Sequence, residues 1–555
     1  MLQDLNPYCA RWDELKTERA SWLPHYREIT DHLLPRSGRY MLEDRNRGEK
    51  RHNKILDSTG TKALRTCSAG MMSSATSPAR PWYRLTTSDP KLDESANVKV
   101  WLAQVTRVMN MVFSKSNTYL SLHKMYDELI AFGTASSIVM PNFERVIHHH
   151  TLTVGEYAIA TDSLGMVDTL YREYQVTAGQ MVKEFGIEQV SSSVRNAFTS
   201  GKLGQWFTVM HAIEPRADRT VGRRDNKNMP WASIYFELGT QGPRVLRESG
   251  FQEFPALCPR WQVSGGDIYG NSPGMDALGD IKQLQHEQLR KGQAIDFMTK
   301  PPMQAPSSMV NKEVDALPGG VTYVDQVGAS NGIRSLFETR LDLSHLLADI
   351  NDVRERIRGA FFADLFLMLS SAADGRKTAT EVAELHEEKM LMLGPVSERL
   401  HNELLSPKID MTFTAMVRAG LVPRPPDELQ GLDLNVEYVS VLAQAQRAVA
   451  TNSVDRYVMS LGQVAQFKPD VLDKLDADRW ADEYADMLGV NPELIVANDK
   501  VALIRKNRAR QQQAAQGAAM AEQMAGAAQK LGTVQTPTGN AGNDVMQALT
   551  GYTTP

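Results

Sequence analysis

Three consecutive histidines, His148, His149 and His150, supply the imidazoles that a transition metal would take. On a strand, adjacent side chains point to opposite faces, so the three cannot converge on one ion, and a structural or surface place suits them better. Ser121-Leu122-His123-Lys124 has the S-x-x-K spacing of some acyl-transfer enzymes, but the partner sequences S-D-N and K-T-G are missing. Gly375-Arg376-Lys377-Thr378 comes nearest to a phosphate-cradling P-loop, yet it misplaces the lysine by one and has Ser370 where the upstream glycine belongs. No G-x-G-x-x-G, G-x-S-x-G or H-E-x-x-H pattern is present. Asp470, Asp473, Asp476, Asp478, Asp482, Glu483 and Asp486 crowd against Lys474 and Arg479, and a solvated helix face explains them better than a metal site. Arg505, Lys506, Arg508 and Arg510 open an alanine-rich helix and are candidates to meet phosphates, with a solvated basic face as the alternative. No aromatic residue is interleaved with them for base stacking. An enzyme reading therefore finds no centre, and neither metal nor cofactor is expected.

Composition narrows the classes. At 555 residues the chain can hold several cores, and 42% hydrophobic with 23% charged residues is ordinary globular usage. Three scattered cysteines, Cys9, Cys67 and Cys258, form neither a zinc spacing nor a disulfide framework, which suggests a reducing compartment. Met1 to Tyr8 has no secretory pattern, and the most apolar stretch, Ala360 to Leu369, is about half a membrane span and carries Asp364. No membrane segment is expected. A net charge of -5 provides no global attraction for nucleic acid, so any contact with DNA must be local or weak.

The elements follow from periodicity. Trp12, Leu15, Trp22 and Ile29 predict helix over 10–35, ahead of Pro35 and a polar loop, and helical spacing returns from Asn97 through Phe132. Between Ser136 and Ser264 short β-branched and aromatic runs predict strands, with helices near Ala178–Phe185 and Val190–Phe198. Helices are expected from Pro273 to Met298 and again from Glu338, with a short strand, GVTYVDQV, between them. Thr378 and Glu381 form a capping-box pattern opening a helix that Gly394-Pro395 should stop. Ser406-Pro407 should start the next helix, with Gly420 as its C-terminal cap, followed by a strand through Leu434, Val436 and Tyr438. Val454 to Val464 forms a helical stripe, and Asn491-Pro492-Glu493 opens the last helix, with eight alanines in residues 514–528. Residues beyond Gly532 read as a disordered tail. The fold class is α+β, predominantly helical.

Four segments together resemble the portal, or head-to-tail connector, proteins of short-tailed bacteriophages. They are Ser77 to Pro90 (SPARPWYRLTTSDP), Tyr269 to Gln283 (YGNSPGMDALGDIKQ), Thr378 to Val382 (TATEV), and Leu393 to Gln446 with LGPVSERLHNELLSPKID, LVPRPPDELQG and VEYVSVLAQAQ. Their order and spacing also fit, and the resemblance reaches about residue 515. It implies a homododecameric ring around a channel at a capsid vertex, through which double-stranded DNA is packaged and later ejected. The implied parts are a wing over 1–274, stem helices over 275–300 and 339–365, a small α/β clip over 301–338 and a tunnel loop over 366–377. Wing helices and a returning strand over 378–440, a helical crown over 441–530 and the tail 531–555 complete it.

The tunnel loop would bring Ser370, Ser371, Asp374, Gly375, Arg376 and Lys377 to the channel, with Arg376 and Lys377 the pair most suited to face phosphates. The implied partners are further copies of the chain, non-sequence-specific DNA, the terminase large subunit, major capsid and scaffolding proteins, and tail adaptor, nozzle and internal core proteins. Assembly would take place in the host cytoplasm. Near-neutral charge suits a channel, because many Lys or Arg contacts would hold the duplex by counterion release. The alternative is a helical scaffold protein of virion assembly that encloses no channel, distinguished by its oligomeric state.

Overall fold

The computed structural model describes residues 5–40, 53–89, 92, 95–220, 222–223, 225–239, 242–299, 303–304, 334–335, 344–371, 393–429, 434–438, 457–488, 496, 498–532, 535–536 and 539–540. The chain forms two units, one of Met1–Ser88 with Trp101–Leu472 and one of Asp89–Val100 with Asp473–Pro555.

The N-terminal run is two helices, α1 (Asn6–Arg19) and α2 (Trp22–His32), where periodicity suggested one. Pro24 explains the break, since a proline is tolerated only in a first turn, where its missing N–H would have no partner anyway. α3 (Thr59–Ala75) was not visible as a periodic stripe. Its buried face includes Gly60, Ala63, Cys67, Gly70 and Ser74, which have helical spacing but are too small or polar to register as hydrophobic. Strand β1 (Tyr83–Thr87), α4 (Ala96–Lys115) and α5 (Thr118–Phe132) follow.

Strands β2 (Ser136–Asn142) and β3 (Val146–Leu152) pair antiparallel. β4 (Tyr157–Thr161) and β5 (Val167–Thr177) then lead into α6 (Ala178–Phe185), α7 (Ser192–Thr199), β6 (Trp206–Pro215), β7 (Trp231–Gly239) and β8 (Gly242–Phe251). β4 to β8 form an antiparallel sheet in chain order, and β9 (Ala256–Leu257) completes a second sheet ordered β3-β2-β9. Side-chain alternation gives the larger sheet two cores. Tyr171, Met210, Ala212, Ile234 and Phe236 pack on Trp12 and Leu15 of α1, while Val176, Val209, Tyr235 and Leu246 pack on Met181, Phe185 and Val194 of α6 and α7. Thr177 caps α6 through a capping box with Gln180.

A single turn at Pro273–Asp276 leads into α8 (Leu278–Thr299). Met303–Gln304 and Arg334–Ser335 make a short antiparallel ladder, while GVTYVDQV lies outside the described residues. α9 (Ser344–Ala360) buries Ile350, Val353 and Ile357, and α10 (Ala363–Ser371) follows after Phe361-Phe362. The capping-box pattern at Thr378 and Glu381 and the helix expected after it also lie outside the described residues.

The next helix corrects one expectation, the helix start at Ser406-Pro407. Gly394-Pro395 opens a helix, with Pro395 in its first turn, and Ser406-Pro407 lies within it. Gly394–Leu400, a π-turn at His401–Leu405 and Ser406–Arg418 run on as one helix, α11, because Leu400, Leu405 and Ser406 are all right-handed helical. A proline within a helix forfeits an N–H bond and clashes with the preceding turn, and the wider π-turn just before Pro407 accommodates it. Gly420 ends the segment at φ +67°, as a C-terminal cap requires. Strand β10 (Leu434–Tyr438) pairs with β1 in the register Tyr83↔Tyr438, joining segments about 350 positions apart.

A further helix covers 457–465. In the second unit lie α12 (Ala477–Leu488) and α13 (Asn498–Gly532), while Asn491-Pro492-Glu493 is outside the described residues. Among the described residues no helix is long and apolar enough to cross a membrane.

Candidate functional site

The expected channel segment is described at its two roots. Ser370 and Ser371 close α10, Asp374, Gly375, Arg376 and Lys377 lie outside the described residues, and the chain resumes at buried Leu393. The entering root is fixed by aromatic packing. Phe361 and Phe366 are buried, and the rings of Trp261 and Phe362 are 6.4 Å apart. Gly70 of α3 makes room for Phe366, since a Cβ there would lie 2.1 Å from the Phe366 ring. Phe362 sits at φ +53°, a left-handed conformation that costs an L-residue roughly 1–2 kcal/mol and turns the chain between α9 and α10.

The helices on either side of residues 300–343 are braced against each other and against the loop before α3. Arg356 of α9 meets Asp280 of α8 at 3.1 Å. Asp57 is the centre of the brace: one carboxylate oxygen accepts from the Thr59 backbone N–H (2.8 Å) and hydroxyl (2.6 Å), the other from Arg354 Nη2 (2.7 Å) and Gln288 Nε2 (3.1 Å). Gln285 of α8 accepts from the backbone N–H groups of Leu56 (2.6 Å) and Asp57 (2.8 Å) and donates to the Asp57 carbonyl (2.9 Å). Burial alone would raise the Asp57 carboxyl, but hydrogen bonds from Thr59 and Arg354 outweigh it and leave the group below its ordinary value. Nothing in the local sequence singled Asp57 out, because its partners lie some 230 and 300 positions away.

The π-turn of α11 presents a buried carboxylate. Glu403 Oε2 accepts from the Arg260 backbone N–H (2.9 Å) and Nε (3.2 Å), and Oε1 accepts from Arg260 Nη2 (2.7 Å) and Arg399 Nη1 (2.9 Å). Arg260 Nη2 also donates to the Gly165 carbonyl at 2.7 Å. Both side chains are almost fully enclosed, at 3% and 6% exposure. The pair ties α11 to the end of the β-rich region.

The histidines alternate as strand geometry requires. His148 and His150 share a face of β3 with ring centroids 4.9 Å apart, while His149 is buried on the other face. Lys408 Nζ of α11 is 3.0 Å from His149 Nε2 and 5.2 Å from the centre of the Phe113 ring. Ser121 is buried and shares a hydrogen bond with Thr151 (2.8 Å), whereas Lys124 is exposed, so the S-x-x-K spacing brings no serine to a lysine. Among the described residues no three His, Cys, Asp or Glu side chains are grouped to hold a metal.

In the second unit, Arg505 of α13 pairs with Asp478 of α12, with Nη2 to Oδ1 at 2.6 Å. The bond from Arg505 lowers the Asp478 carboxyl, and the same bond raises the guanidinium. One of the seven crowded acids thus has a named cation, and one of the four candidate phosphate contacts has a carboxylate. Lys506, Arg508 and Arg510 are exposed on α13.

In the braced helix pair, the packed roots and the strand returning from residue 434 to β1, distant segments of the chain position one another. The chain belongs to the bacteriophage head-to-tail connecting proteins, whose family model matches residues 6–496. It is 64% identical over 544 residues to the probable portal protein of Bordetella phage BPP-1, with 98% of each chain covered. It is 46% identical over 524 residues to the portal protein of Salmonella phage epsilon15, with 94% of each covered. Both relatives are portal proteins, the kind of connector that the four motif segments resemble. Among solved structures it is similar to a chain of the virion of a native gene transfer agent particle, with TM-score 0.29, 11% identity and coverage of 79% of this chain and 95% of that one. A chain from the neck of an empty gene transfer agent particle gives TM-score 0.33 at 11% identity, covering 77% and 92%.

Proposed function

We propose that twelve copies of this connector form a ring around an axial channel at a capsid vertex, through which double-stranded DNA enters during packaging and leaves on ejection. The observation that carries the reading is the 64% identity to a probable portal protein along 98% of both chains. In this reading α8 and α9 are the stem, 301–338 is the clip that docks the terminase large subunit and then the tail adaptor, and 366–377 is the tunnel loop. The wing meets capsid and scaffolding proteins, and the crown meets internal core proteins. A net charge of -5 supports it, because a sliding duplex needs shallow contacts and each phosphate neutralised deepens the well that holds it.

The physical role assigned to Arg376 and Lys377 is a local, screened attraction that keeps the duplex centred. Replacing both by alanine, or deleting 372–377, leaves the buried roots at Phe366 and Leu393 intact and should leave assembly unchanged. DNA packaged per capsid, measured by nuclease protection, is expected to fall at least tenfold for the deletion. Normal packaging by intact particles of the deletion variant would remove the loop from the channel.

A further inference from the structure

We propose that the buried contact between Lys408 and His149 makes the seating of α11 on β3 proton-sensitive, so that the segment Ser406–Arg418 is held at mildly alkaline pH and loosened as the pH falls.

The geometry allows the contact one bridging proton. Nζ and Nε2 are 3.0 Å apart, a hydrogen-bond distance that needs one nitrogen to donate and the other to accept. Both side chains are almost fully enclosed, Lys408 at 1% and His149 at 3% exposure. Asn117 holds the backbone of His149 in both directions, donating to its carbonyl (2.8 Å) and accepting from its N–H (2.9 Å), and burial leaves the ring little room to turn. His149 Nδ1 has no hydrogen-bond partner among the described residues.

Among the described residues no carboxylate pairs with either nitrogen. From β3 the neighbouring titratable groups are His148 and His150, on the opposite face. α4 presents the uncharged Phe113 ring. β10 presents the Tyr438 hydroxyl, which is bonded to Ser406. Glu253, in the segment before β9, receives the Thr414 hydroxyl at 3.1 Å. Among the described residues Lys408 joins no ion pair. A protonated amine and a protonated imidazole would therefore be two uncompensated charges at hydrogen-bond distance in an apolar interface, an arrangement that a seated helix cannot keep.

Burial accordingly brings the Lys408 amine down from 10.5 to about 7. Burial first, then the charge of Lys408 and the two flanking histidines, lowers His149 well below its ordinary value. The sign follows by linkage. Between about 7 and 10.5 the released lysine binds a proton that the seated one does not, so release gains up to tenfold for each unit of falling pH. His149 extends the loss of stability below 6.5. Three other groups bound the useful window. Burial raises Glu128 to about 7, which opposes the trend below that pH, and burial of the Cys67 and Cys258 thiols removes stability above 9. The clean interval is pH 7 to 9.

The test is hydrogen exchange of the full chain at pH 7, 8 and 9, corrected for intrinsic rates and followed in 146–152 and 406–418. Protection in both segments should rise several-fold, and at most about tenfold, per pH unit in the wild type, with β5 showing no such slope. In Lys408→Met the slope should vanish. A wild-type profile that is flat, or shared equally by β5, overturns the proposal whether or not the variant folds, and so does an unchanged slope in a folded Lys408→Met.

Discussion

Glu403→Ala is expected to destabilise the protein by about 3–5 kcal/mol, the range for removing one partner of a buried ion pair. The substitution strands Arg260 at 3% exposure, with its backbone N–H, Nε and one Nη2 bond all losing their acceptor at once. The guanidinium keeps the Gly165 carbonyl, and Arg399, partly exposed, can turn to solvent, so the loss concentrates on Arg260. Arg260→Met combined with Glu403→Leu removes both charges and should regain most of the loss, because a well-packed apolar pair avoids the desolvation cost. Denaturant midpoints of the three variants decide the matter. A loss below about 1 kcal/mol for Glu403→Ala, typical of an exposed pair, would mean that the pair is not enclosed in the assembled protein.

Gly133→Ala is expected to cost about 3 kcal/mol or more, from overpacking together with a left-handed conformation that an L-residue resists. Gly133 caps α5 at φ +74°, with its N–H bonded to the Leu129 carbonyl. A Cβ there would lie 2.1 Å from the carbonyl oxygen of Gly270, and one on Gly270 would lie 2.3 Å from that of Gly133. Two backbones thus cross with no space for a methyl on either, and no side chain can rotate to relieve the clash. The Gly133 carbonyl also accepts from Trp261 N–H at 2.8 Å, so moving the crossing disturbs the segment next to Arg260. Gly165→Ala is the control: it has φ +79° with nothing within 4 Å, and should cost only the conformational part, roughly 1–2 kcal/mol. Equal losses for the two variants would show that conformation alone, without the crossing, sets the cost.

Local signals made much of this fold legible. Strand alternation placed His149 opposite His148 and His150, glycine punctuation placed the cap at Gly420, and periodicity placed α6, α7, α8 and α9. Long-range pairing was not legible. That the strand at Leu434–Tyr438 adds to β1, or that Asp57 joins α8 to α9, depends on contacts between positions hundreds apart. The continuity of α11 was not legible because Ser406-Pro407 carries an ordinary helix-start signal, which the π-turn just before it absorbs. α3 was missed because small residues bury as well as large ones when a ring such as Phe366 fills the space above them. The channel reading came from motif order, since the brace at Asp57 and the packed residues Phe366 and Leu393 do not themselves reveal a channel.

The most direct test of that reading is electron microscopy of the purified protein, with particles averaged down their symmetry axis. The account predicts dodecameric rings with a central hole wide enough for a DNA duplex. Monomers or small oligomers at every salt concentration, with no rings even when scaffolding protein is added, would contradict it.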